Sequence, residues 1–548
     1  MRQMKGYMLA TSRRPWGFAP IGRLGLSIVL GASVLGFGES QVKEHRLATQ
    51  PGRSLPEVRT VIDLAYMAPP EFGADALLRL VEAGLISDAE QKLELLRDAF
   101  QMALQAPEAV KYAYTAGFAG DSRESELWLG YSLNVDRESL RCRAVQQMLL
   151  LDRSRARRWF DEIGLPKPPA HDCGSTIAYD PETFYQTLGL LVRKGFSEEE
   201  RAKEEHIEFA ERYLKALVSP AQVVPAAGML ATLDLPPRQF DQLLRGFSAA
   251  LVRIPPDSRA FRDGRRLIDA MRPLAEKCRS ADIPCDGLVA AVREYVRRNM
   301  SAVRCADSVE RQVRAASFRP KSIQKAIWPA VDEQFDSWSA RKPPYVREEI
   351  PPLSPEEIKP EKIGPAPEIH KFWTGPTASR LLDGIRRLRF KRLSPPAGGK
   401  PERYTIDERR RHQWTSQFLE FLENLESWKG DDEPDEVDFI LQKLMLYGGL
   451  AELAPPGELR DRMLESYIAL LRGFLDRRPD LRAVGVARAE VLLQRLERSR
   501  LTAVAARNEQ YQDVDWALRA LERSGSPLLT LFAKLDRLTN PRSRPRNP

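Results

Sequence analysis

EFGADALLRLVEAGLISDAEQKLELLRDAFQMAL, residues Glu71 to Leu104, is the stretch from which the fold can be read. Leu77, Leu78, Val81 and Leu85 fall at i, i+1, i+4 and i+8, one stripe of a 3.6-residue period, and Leu93, Leu96, Phe100, Ala103 and Leu104 form a second stripe. Between them Gly84 is free to take positive φ and end the first helix, with Leu85 folding back on Leu80 as in a Schellman cap. Ser87 is the expected N-cap of the second helix, and Glu90 three residues on completes a capping box. A short turn between two helices makes them antiparallel, and each stripe then needs a neighbour to cover it.

The same logic runs outward in both directions. Arg137 to Leu151 and Arg153 to Ile163 form a pair closed by Gly164 and Pro166, and Glu182 to Lys194 follows an irregular stretch at Pro166 to Pro181. Ser197 with Glu200 is a second capping box, opening a helix expected to run unbroken to about Leu217. Asp257 to Lys277 and Asp286 to Arg304 make a further hairpin. From 343 to 367 eight of twenty-five residues are Pro, which no helix survives, so 341–368 reads as an extended linker. Periodicity returns with Trp414, Phe418, Phe421, Leu422, Leu425 and Trp428 on one face, then over Val437–Met445, Leu459–Leu475, Ala483–Leu496, around Trp516 and over Leu528–Leu538. No alternating run of strand length occurs. The fold class is therefore all-α: stacked antiparallel helical hairpins, solenoid-like or bundled, over 59–340, then a helical bundle over 369–540 and a basic tail at 541–548.

The N-terminus carries an apolar run of fifteen residues, Leu24 to Gly38 (LGLSIVLGASVLGFG), behind Arg2, Lys5, Arg13, Arg14 and Arg23. That layout, with Gly36-Phe37-Gly38 as a small-x-small site, reads as a signal peptide over 1–38, and a bilayer span wants about 20 residues. Residues 39–58 read as a spacer, and the chain as exported to the periplasm or the extracellular space; the alternative is an uncleaved anchor. No later segment is apolar enough to span a membrane. Net charge is +8, of which +4 lies in residues 1–40, so the basicity is weak support for nucleic acid as a partner.

Five cysteines in an exported chain are expected to pair, with one left over. Cys278 and Cys285 flank a hairpin turn and are the first choice. Cys305 lies too far along a continuous helix to pair with Cys285, and Cys173 is its candidate partner. Cys142, on a face with Val145 and Leu149, reads as a buried free thiol.

Motifs for chemistry are sparse. His171-Asp172-Cys173 crowds three reactive groups, but adjacent side chains of an extended loop point apart, and a half-cystine is the simpler reading. His206 among Glu204, Glu208 and Glu211 lacks the Glu-x-x-His spacing of a carboxylate metal site and reads as a solvated charged face. Asp431 to Glu436 lacks the glycine of a calcium loop and suits a helix N-terminus. There is no HExxH, CxxC, P-loop or GxGxxG, so neither metal, catalytic nor cofactor residues are assigned. Arg386 to Arg411 holds ten basic against three acidic residues. Arg386, Arg387, Arg389, Lys391, Arg392, Arg409, Arg410 and Arg411 form a candidate anion-binding patch, the plainer alternative being a solvated charged connector. The sequence thus points to an exported helical binding or scaffolding protein, its partner another protein or an anionic polymer. A secreted helical enzyme acting on polysaccharide, with its cleft invisible in sequence, is the alternative.

Overall fold

Gly84 takes φ +66 at the end of its helix, and the amides of Gly84 and Leu85 bond back to Val81 O (3.0 Å) and Leu80 O (3.1 Å), the two bonds of a Schellman cap. The computed structural model describes residues 55–112, 122–169, 177–257, 264–301, 369–393, 408–433, 435–454, 457–505 and 513–540. The candidate signal peptide, the linker at 341–368 and the tail lie outside them.

Twenty α-helices are described. Thirteen precede the Pro-rich segment: α1 Leu55–Met67, α2 Pro70–Glu82, α3 Ala89–Met102, α4 Arg123–Tyr131, α5 Arg137–Leu149, α6 Arg153–Ile163, α7 Glu182–Lys194, α8 Glu198–Ala202, α9 Glu205–Lys215, α10 Val223–Thr232, α11 Pro237–Arg253, α12 Gly264–Ser280 and α13 Asp286–Ser301. Seven follow it: α14 Pro376–Leu393, α15 Glu408–Ser427, α16 Glu436–Leu453, α17 Glu458–Arg477, α18 Arg482–Ala505, α19 Asp513–Glu522 and α20 Pro527–Thr539. The fold is all-α. In the first group the row α3, α5, α7, α9, α11, α13 packs each helix against the next. Its core holds Phe160, Phe184 and Tyr213, with Phe160 and Phe184 rings 4.7 Å apart.

Three local expectations are corrected. The N-cap of α3 is Asp88, not Ser87: its carboxylate accepts from Gln91 N at 2.7 Å, and an ionised acceptor gains more from the positive helix end than a hydroxyl does. The capping box at Ser197 and Glu200 forms, yet the helix does not run on, because Glu204 turns left-handed (φ 59) between α8 and α9. The break leaves Arg201 donating to Val192 O at 2.8 Å near the end of α7, while α9 buries Ile207, Ala210, Tyr213 and Leu214. A small sheet is also present: β1 Val110–Tyr112 pairs antiparallel with β2 Ile177–Tyr179. Three residues are too few to show a period of two. The sheet sets Tyr179 over α5, where its hydroxyl donates to Glu138 at 2.7 Å.

Helices from the two sides of the Pro-rich segment pack on one another: α18 and α16 against α4, and α20 against α1 and α2. The charges of α4 find partners across this contact. Arg123 bonds Asp438 through Nε (2.6 Å) and pairs with Asp435 (2.5 Å); Glu124 accepts from His370 N at 3.3 Å; Glu126 is paired with Arg488, both side chains buried. Gly130 sits where a Cβ would meet the backbone of Val484 at 2.9 Å, so glycine lets α4 and α18 approach.

Cys278 and Cys285 form a disulfide, Cα to Cα 6.2 Å, across the α12–α13 turn. Cys142 is a buried free thiol; Cys173 and Cys305 lie outside the described residues. A loop this short is stabilised by about 2–3 kcal/mol in the chain-entropy picture. Cys278→Ser with Cys285→Ser is expected to lower the melting temperature by roughly 5 °C with the helical circular dichroism retained. Calorimetry checks it, and a loss of helix at 25 °C would show that the hairpin depends on the bridge.

Candidate binding groove

The α14–α15 hairpin is built by a register that starts at its aromatic residues. Trp414 Nε1 donates to Leu388 O (3.2 Å), Gly384 lies against Phe421, and Thr377 N donates to Asp432 Oδ2 (2.8 Å), so the arms run antiparallel. A Cβ at Gly384 would stand 2.7 Å from the Phe421 ring. Asp432 also accepts from Trp428 Nε1 at 3.1 Å, and these donors hold its carboxyl below the usual range although burial pushes the other way. Lys443, buried on α16, closes the end of α15 by donating to Trp428 O (2.6 Å) and Glu426 O (3.2 Å), an ammonium on the negative helix end. Burial lowers its pKa.

Between these arms lies a groove of about 830 Å³. Arg380, Arg387 and Lys429 supply its positive charge, Glu420, Asp431 and Asp432 its negative charge, and Gln417, Asn424 and Ser427 further polar groups; Phe421 and Trp428 add aromatic surface to its lining. Arg387 and Lys429 make no ion pair among the described residues, whereas Asp432 is committed to Thr377 and Trp428.

The basic residues singled out in the sequence divide into three groups. Arg386 pairs with Asp383 at 3.4 Å and Arg389 with Glu452, so their charges are partly neutralised. Arg387 lines the groove. Lys391 and Arg392 fall in the last turn of α14, and Arg409, Arg410 and Arg411 in the first turns of α15. The antiparallel register brings these two ends of the hairpin together. Thus the first part of Arg386–Arg411 belongs to a helix rather than to a flexible connector, and the prolines and paired glycines of the stretch all lie beyond its end at Leu393.

Other sequence candidates are placed elsewhere. His206 is buried in the core, 6.1 Å from the Phe196 ring, so the solvated-face reading fails for the histidine itself. Its neighbour Glu211 pairs with Lys215 at 2.8 Å. Asp435 caps α16, accepting from Val437 N at 2.7 Å. His171-Asp172-Cys173 lies outside the described residues. Among the described residues no group of three or more His, Cys, Asp or Glu is placed to hold a metal ion, and no helix is long and apolar enough to cross a membrane. The groove itself had no signal in sequence: Phe421 and Trp428 read as core, and Asp432 and Lys443 find their roles only across helices. Comparison of the chain with protein families, with curated proteins and with solved structures found no match.

Proposed function

We propose that this is an exported helical binding or scaffolding protein that holds an anionic polymer on the α14–α15 hairpin. The observation that carries the reading is the antiparallel register, which sets the turn of α14 holding Lys391 and Arg392 beside the turn of α15 holding Arg409, Arg410 and Arg411, on a hairpin whose groove contains Arg387 and Lys429, neither with a carboxylate partner among the described residues. Basic residues on adjoining helix turns suit a polyanion, which releases its own counterions on binding. For an exported chain the fitting class is an acidic polysaccharide, with the exposed Asn424 and Ser427 available to its hydroxyls. Export is supported by the leader-like 1–38 segment, and a mature N-terminus at Glu39 by mass spectrometry checks that half.

The binding half is tested with heparin and with neutral dextran on the full chain. Heparin is expected to bind, with affinity falling steeply between 50 and 200 mM salt, and Arg409→Ala/Arg410→Ala/Arg411→Ala to weaken it by about tenfold or more. Equal retention of the triple variant and the parent protein would sink the assignment.

A further inference from the structure

A second cavity, of about 450 Å³, lies where α2, the α4–α5 turn and α5 face α18 and α20. Its size is that of a small-molecule site. We propose that it binds a small amphipathic cation, a protonated amine on an apolar body, with Glu490 as the residue that selects the charge.

The apolar half of the wall comes from Leu528, Leu531, Phe532 and Leu535 on successive turns of α20, with Val486 beside them on α18. Apart from Asn134, whose Oδ1 is buried without a partner among the described residues, the charges of the polar half answer one another. Arg143 donates through Nε and Nη2 to both oxygens of Glu82 (3.0 and 2.9 Å) and through Nη1 to Asp75 (2.7 Å), and Arg79 stands 3.7 Å from Asp75. Two guanidiniums thus answer two carboxylates. Burial works against the Arg143 charge, and the two carboxylates more than reverse it, so this guanidinium stays charged and committed. Glu490, on the α18 side of the cavity, is the third carboxylate of the wall. Among the described residues its only hydrogen bond is from the neutral Gln494 amide at 3.2 Å and no cation pairs with it.

The cavity therefore carries one uncompensated negative charge beside a continuous apolar face. An anionic ligand would meet Glu490 with no free cation to answer it, since Arg143 and Arg79 are occupied. A neutral ligand would gain the apolar burial alone. An ammonium gains that burial and an ion pair that is partly shielded from water, a pairing worth more than an exposed one.

The test uses isothermal titration calorimetry on the full chain with three ligands of one skeleton: 4-phenylbutylamine, 4-phenylbutanol and 4-phenylbutyrate. The amine is expected to bind at least about tenfold more tightly than the alcohol, the acid weakest, and Glu490→Gln to bring amine and alcohol level. Leu531→Trp, which fills the apolar half, is expected to abolish binding of all three, with circular dichroism reporting whether each variant is folded. Should a variant fail to fold, the ranking of the three ligands on the parent protein decides the matter. Equal binding of amine and alcohol, preference for the acid, or no heat from any of the three at millimolar concentration each overturns the proposal.

Discussion

Glu126→Ala is expected to destabilise the chain by about 3–5 kcal/mol, the cost of leaving one charge of a buried pair without its partner. Glu126 on α4 and Arg488 on α18 are both buried and bonded to each other across 362 residues of sequence. Burial opposes the Arg488 charge, and the Glu126 carboxylate more than offsets it, so the guanidinium pKa is raised rather than lowered. Without that carboxylate the Arg488 cation would sit beside Tyr467, whose hydroxyl is already donated to Arg488 O at 2.8 Å. Because α4 also reaches Asp435, Asp438 and the His370 backbone, the loss should appear as a weakened contact between the helices before and after the Pro-rich segment. Urea denaturation measures it. The double variant Glu126→Leu/Arg488→Met is expected to recover most of the stability, as hydrophobic replacement of buried pairs often does. A Glu126→Ala protein within about 1 kcal/mol of the parent would mean that water reaches the pair and that α4 is not a buried junction.

Stability should fall as pH rises from 4.5 to about 8, and Glu138→Gln should remove much of that fall. Glu138 lies at the start of α5 under Tyr179; burial, joined by the nearby Asp136, Asp180 and Glu108, pushes its carboxyl up to about 8, while the Tyr179 hydroxyl works in the opposite direction. With the folded value above the unfolded one, the native state holds the extra proton between the two. Its contribution is then fully present below about 4.5, lost progressively as pH rises through 8, and constant above. The full shift corresponds to as much as about 5 kcal/mol, a large share of a domain's stability. Gln keeps a carbonyl oxygen for Tyr179 and carries no charge at any pH. Urea melts at pH 5, 7 and 9 should show variant and parent close at pH 5, with the variant clearly more stable at pH 9. Parallel pH profiles for the two proteins would place Glu138 in contact with solvent.

The sequence by itself determined many of the helices and their turns, because the forces that set them act within one or two turns of chain. Gly84 with Leu85 stops α2, Ser197 with Glu200 starts α8, Gly164 at φ +81 ends α6, and Cys278 reaches Cys285 across a turn of known length. Apolar stripes at a 3.6-residue period then say which face is inside without saying against what. The choice between Ser87 and Asp88 as cap, and the break at Glu204, were already beyond that range, since neighbouring residues there offer nearly equal local solutions.

Tertiary structure alone decided the rest. Nothing in Arg123-Glu124-Ser125-Glu126 itself marks what its charges meet; Glu124 and Glu126 are buried and Arg123 half-buried only because His370, Arg488 and Asp438 arrive from 246, 362 and 315 residues away. Lys443 closes the end of α15 and Glu490 stands in a cavity whose other charges are paired, and no local pattern in the sequence marks either. A charged side chain looks the same in sequence whether it faces water or a partner. Its energy differs by several kcal/mol between the two, and packing between distant helices is what sets which one it meets.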